Sequence, residues 1–166
     1  MTERAEMTFM HARIARIATQ KWGVSICEVG RLFDQYKAFQ HIRDCYDLYH
    51  VEGDEAVWED MQPYFHNKGY SCPVADNSRS LEVSNANESI GLSVEKENTA
   101  IDMIVSMVAE ELADKMNTST EEALPGFLQS RICATLYDRE SKLWCDGPSH
   151  VVELYLSEIN NQELLF

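Results

Sequence analysis

The sequence predicts a mainly α protein built from two degenerate four-helix repeats packed together, with a short β-hairpin in the segment between them. Three observations lead there. Apolar residues recur at helical spacing over residues 7–66 and resume that rhythm from Thr99. The stretch Tyr46-Asp47-Leu48-Tyr49-His50-Val51-Glu52-Gly53 closes the first run, and an edited copy, Leu143-Trp144-Cys145-Asp146-Gly147, closes the second. A shift of 94 positions carries Ser25 onto Ser119, Glu28 onto Glu122, Phe33 onto Phe127, Asp44 onto Asp138, Gly53 onto Gly147 and Val57 onto Val151. The implied division is repeat one at 1–66, a connecting segment at 67–98 and repeat two at 99–166. Each repeat has about 60 residues, a size at which a core is marginal alone, so the two are expected to pack on each other.

In repeat one, Met10, Ile14, Ile17 and Ala18 define a helix from Met7 to about Gln20. Gly23 suits a left-handed cap, and Ser25-x-x-Glu28 reads as the capping box of a second helix bearing Val29, Leu32, Phe33 and Tyr36. Phe39, Ile42, Tyr46 and Tyr49 continue the rhythm as a third helix, Lys37 to Tyr49. Asp54 can cap a fourth through Val57, Trp58, Met61 and Phe65, which Pro63 is expected to shorten or distort in its final turn.

The connecting segment is rich in Asn, Ser and Gly. Within it Leu81 and Val83, then Ile90, Leu92 and Val94, alternate with polar residues about Asn85-Ala86-Asn87-Glu88, the pattern of a hairpin. From Thr99, Ile101, Ile104, Val105, Val108, Leu112 and Met116 restart the helical period, and Asn117 stands where the first repeat has its glycine cap. Leu124-Pro125-Gly126 predicts a kink or late start in the next helix. Residues 137–144 read as an extended turn, and Pro148 opens the last helix.

Fourteen basic against 28 acidic residues give a net charge of -14, a field that repels phosphate backbones and anionic membranes and attracts basic surfaces. Nucleic acid is therefore a poor ligand for this chain. Five cysteines without a C-x-x-C pair fit neither a disulfide framework nor a zinc ribbon, and suggest reduced thiols in the cytoplasm. No apolar run is long enough to span a bilayer. His41 and Cys45, four apart with His50 beyond, are better read as structural residues than as a metal or thiol–base site, because Thr135, Arg139 and Trp144 stand at the matching places of repeat two. The acidic groups read as solvated helix faces, and no nucleotide-binding, zincin or nucleophile-elbow motif occurs. Neither catalysis nor a cofactor is expected.

Repeat one resembles a small bacterial family classed as a domain of unknown function. The resemblance runs through Ser25-x-x-Glu28, Leu32-Phe33 and Tyr46-Asp47-x-x-His50-x-x-Gly53 to Trp58-Glu59-Asp60, and departs from the family in having Tyr49, not leucine, before His50. Residues 99–160 are similar to a sister version, through Glu121-Glu122-Ala123-Leu124, Leu136-Tyr137-Asp138 and Leu143-Trp144-x-x-Gly147-Pro148. Members are often encoded beside ADP-ribosyltransferase-like proteins, which implies a non-enzymatic, antitoxin-like protein that neutralises a basic partner of that kind.

The alternative expectation is a transcriptional regulator using a helix-turn-helix at Ala18 to Tyr36. Against it, the would-be recognition helix sets Lys37 and Arg43 against Asp44 and Asp47. Repeat two carries four basic and twelve acidic residues between Asp102 and Glu163, while residues 1–66 carry seven and eleven. The residues expected to meet a partner are Tyr49 and Trp58 in repeat one, with Tyr137, Trp144, Glu121 and Glu122 in repeat two.

Overall fold

The computed structural model describes residues 2–71, 73 and 88–163, and its described residues are mainly helical with no strand. The first half forms α1 (Glu3–Trp22), α2 (Ile26–Gln35), α3 (Ala38–Asp44), α4 (Tyr46–Tyr49) and α5 (Asp54–Asn67). The second forms α6 (Glu88–Met116), α7 (Thr120–Leu128), α8 (Arg131–Tyr137) and α9 (Pro148–Glu163), with two 3-10 turns between α8 and α9.

Local chemistry sets the boundaries. The Ser25 hydroxyl accepts from the Glu28 backbone N–H at 3.2 Å, and Ser119 accepts from Glu122 N–H at 3.3 Å, so α2 and α7 begin on the same side-chain cap. Just upstream, Gly23 and Asn117 both take positive φ, 66° and 53°, ending α1 and α6 in the left-handed region that glycine and asparagine tolerate best. α8 has a cap of another kind. The Glu158 carboxylate of α9 accepts from Arg131 N–H at 3.0 Å and Ile132 N–H at 3.2 Å, alongside the Ser130 hydroxyl, which accepts from Cys133 N–H.

Several expectations are corrected. Residues 88–94 are the first two turns of α6, so the second hairpin strand is helix; Leu81 and Val83 lie outside the described residues. The third helix expected over Lys37 to Tyr49 breaks at Cys45 (φ -100°, ψ 8°), which gives five helices rather than four in the first half. Pro63 leaves four further residues of α5 in place, and α7 starts on schedule at Thr120 despite Pro125. Gly53, not Asp54, is the N-cap of α5. Residues 139–141 and 143–145 wind as tight 3-10 turns about a left-handed Lys142.

α1 packs along α6, and α2 along α7. Arg4 to Asp114 at 3.1 Å and Arg16 to Asp102 at 2.8 Å fix α1 and α6 as antiparallel. Gly30 lets α2 and α7 approach closely, since a Cβ there would lie 2.7 Å from Leu128 Cβ. One buried cluster draws on both halves, joining Ile14, Phe33, Phe39 and Phe65 to Ile101, Leu112, Leu124 and Phe127.

Candidate functional site

The aromatic residues expected to meet a partner divide sharply. Tyr49 is fully buried. Its hydroxyl donates to Asp60 Oδ2, and burial together with that carboxylate pushes its pKa far above the ordinary tyrosine range. Trp58 is 3 % exposed and meets Trp22 edge-on, 5.2 Å between ring centroids. Both are core residues, so neither presents an anchor at the surface. What the sequence could not reveal is that the tyrosine hydroxyl has its own acceptor eleven residues away, which satisfies the polar end that would otherwise favour a wet boundary.

In the second half the picture differs. Trp144 is half-buried and lines a groove of ≈ 480 Å³ with Ser93, Val94, Glu97, Arg139, Glu140 and Lys142, and its indole Nε1 is sealed from solvent without a partner. Arg139 is held over one side of that groove by Asn98 Oδ1 at 2.8 Å and Glu97 at 3.7 Å. Tyr137 is half-buried as a residue, and its hydroxyl is enclosed and unpartnered; burial, then the nearby Asp102 charge, raise its pKa well above normal. Glu121 is 5 % exposed and faces Arg43 at 3.8 Å, so it serves the contact between the halves. Glu122 is exposed; a hydrogen bond from the Thr118 hydroxyl, then its own helix N-terminus, lower its pKa.

All seven basic side chains between residues 1 and 66 face carboxylates: Arg4 with Asp114, Arg13 with Asp54, Arg16 with Asp102, Lys21 with Glu55, Arg31 with Glu28, Lys37 with Asp34, and Arg43 with Asp44 and Glu121. Each positive charge of the first half therefore has a carboxylate partner, and three of these arginines reach into the acidic second half. Asp102 is fully buried, and although Arg16 grips both its oxygens, at 3.1 and 2.8 Å, burial dominates and raises its pKa to about 6. Exposed apolar side chains on this acidic molecule include Leu48, Val51, Met103, Met107 and Met116.

His41 and Cys45 do not form a thiol–base pair. The Cys45 sulfur is 4.0 Å from both ring nitrogens, too even a distance to lie along either lone pair, and the ring stacks on Tyr64 at 4.0 Å. Burial lowers the His41 pKa. His50 turns away, its Nδ1 2.9 Å from Tyr46 O. Among the described residues no group of three or more His, Cys, Asp or Glu is placed to hold a metal ion, and no helix is long and apolar enough to cross a membrane.

No curated protein and no solved structure matches the chain. What does match is a family known only as a protein of unknown function (DUF3791), whose sequence profile covers residues 9–68, the stretch from α1 to the end of α5.

Proposed function

We propose that the chain is a non-enzymatic, acidic protein-binding module made of two related helical units, and that it neutralises a basic, ADP-ribosyltransferase-like partner in the manner of an antitoxin. The observation that carries this reading is the net charge of -14, in which every Lys and Arg of residues 1–66 faces a carboxylate and so does not offset the acidic field with a free cation. Such a field speeds encounter with a basic surface, while affinity rests on a few anchors. With Tyr49 and Trp58 in the core, the anchors on this reading are the half-buried Trp144 and Tyr137, with Glu122 on the approach. Two related units are supported by the matching caps at Ser25 and Ser119 and by the start of α5 and α9 after Gly53 and Gly147.

The test is association with a basic, ADP-ribosyltransferase-like protein, measured across a salt series. The rate should fall from low to physiological salt, and a salt-independent rate would overturn the steering. Trp144→Ala should raise the dissociation rate in a still-folded protein. The helix-turn-helix reading is weaker, because the would-be recognition helix breaks at Cys45, buries Phe39, Ile42, Tyr46 and Tyr49, and has Arg43 held by acids. Nanomolar, sequence-specific DNA binding by the isolated chain would revive it.

A further inference from the structure

The two halves meet through equivalent surfaces. The ion pairs Arg4–Asp114 and Arg16–Asp102 are spaced by twelve residues on each helix and run in opposite order, so α1 and α6 lie antiparallel with position 12 opposite position 106. Under the shift of 94 those two positions are counterparts: Ala12 becomes Ser106. Each residue at the crossing therefore faces its own equivalent, which is the signature of a two-fold axis. Both are small and buried, 0 % and 5 % exposed, as a close helix crossing requires.

The second helix pair obeys the same rule. The Cys27 thiol lies 3.5 Å from Gln129 O and Gly30 packs on Leu128, so α2 ascends as α7 descends. Packing within each half matches as well, α1 against α2 and α5 in one, α6 against α7 and α9 in the other.

We infer that the α1–α2 face is a homotypic docking surface, complementary to the same face of another unit of this kind, and that residues 88–163 occupy it as a partner carried on the same chain. This rests on the two-unit reading above but not on any outside partner. An isologous face of this sort does not distinguish a unit on its own chain from one on a second copy, so it can be filled in trans by exchange. The charge pattern suits the pairing, because unit one contributes arginines and unit two carboxylates, Asp114, Asp102 and Glu121, at each of these bridging sites. The identity of the occupant is thus a unit of this chain rather than a foreign protein, which must bind elsewhere.

The experiment uses two full-length variants, Arg16→Asp and Asp102→Arg. Each alone places like charges at a buried site and should lose most of its thermal stability. Refolded together, each can exchange units so that one interface carries the reversed pair and the other the native pair. The expected result is a 1:1 heterodimer as the major species in native mass spectrometry, with a melting transition restored toward the parent. The double variant Arg16→Asp/Asp102→Arg on one chain should be a folded monomer. A co-refolded mixture without heterodimer, beside a folded double variant, overturns the inference. If the double variant does not fold, the parent decides: refolded from denaturant at rising concentration, it should yield an exchanged dimer, and a parent that stays monomeric throughout overturns the proposal. No binding partner enters either measurement, so failure here leaves the salt-series test standing.

Discussion

The two halves reach similar helix layouts through different cores. In the first, Trp22 is surrounded edge-on by Phe33, Trp58, Phe65 and Tyr70, at 5.0 to 6.1 Å between ring centroids, and Phe39 extends the set. In the second, the counterparts of Phe33, Phe39, Trp58 and Phe65 are Phe127, Cys133, Val152 and Ile159, so one aromatic ring remains of the four, in contact with Tyr155. Cap and period thus specify the layout, while the filling can change from aromatic to aliphatic if volume is kept. Two positions show the divergence most plainly. Trp22 is 4 % exposed and its counterpart Met116 is 53 % exposed, while fully buried His11 stands where the second half has fully buried Val105.

The strongest way to break the comparison is therefore at Trp22. Trp22→Ala should cost about 3–5 kcal/mol by the cavity it leaves. Met116→Ala should shift stability by no more than about 0.5 kcal/mol, as for other exposed side chains. Chemical denaturation of the two variants compares them directly, and equal losses would show that the two halves do not differ as described.

A second contrast is pH. Burial, then the Arg43 charge, lower the His11 pKa from 6.5 to about 3, against a smaller opposing pull from the Phe39 backbone. The unfolded chain takes up a proton below pH 6.5 that the folded chain refuses, so this group's stability is present above 6.5 and is lost as pH falls toward 3. At about 1.4 kcal/mol per pKa unit the loss is on the order of 5 kcal/mol at the acid end. Asp102 works the other way. Its pKa rises from 3.8 to about 6, so its contribution is present below 3.8 and lost as pH climbs through 6, partly masking the histidine. His11→Val, which copies the second half, should gain stability relative to the parent as pH drops from 6.5 to 3. A pH-independent difference between the two proteins would remove His11 as the cause.

Smaller effects sharpen the likeness. Gly30→Ala should destabilise by about 1–3 kcal/mol through overpacking against Leu128, with no matching effect at exposed Gly53. Ser25→Ala and Ser119→Ala should each cost about 1 kcal/mol, and the two losses should agree, since each serine accepts from the N–H three residues on. Unequal losses in thermal melts would separate the two caps.

What was legible in the sequence was punctuation. Gly23, Ser25, Asn117, Ser119 and Pro148 act through their own backbone and nearest neighbours, so their roles survive whatever packs around them. The start of α6 was not legible, because Ile90 and Val94 are four apart and, with Leu92 between them, fit a strand and a helix equally over so short a run. The site suffered from a different blindness. Tyr49 and Trp58 have interface chemistry, and only three-dimensional packing shows that Asp60 and Trp22 have already claimed them. Trp144, named on the same interface chemistry, stands in a turn and stays half-buried.

The carboxylate of Glu158 also bears on the order in which the chain matures. α8 has seven residues, too few to persist alone, and its first two amides are satisfied by a side chain of the last helix. α1, α2 and α7 each begin on a cap supplied by the residue just before them, so each can start as soon as its own stretch is made. α8 has no such freedom. It stays a fluctuating segment until residue 158 is free to pack against it, which makes the last helix the latch of the second half and makes truncation within α9 costlier than its exposed outer face suggests.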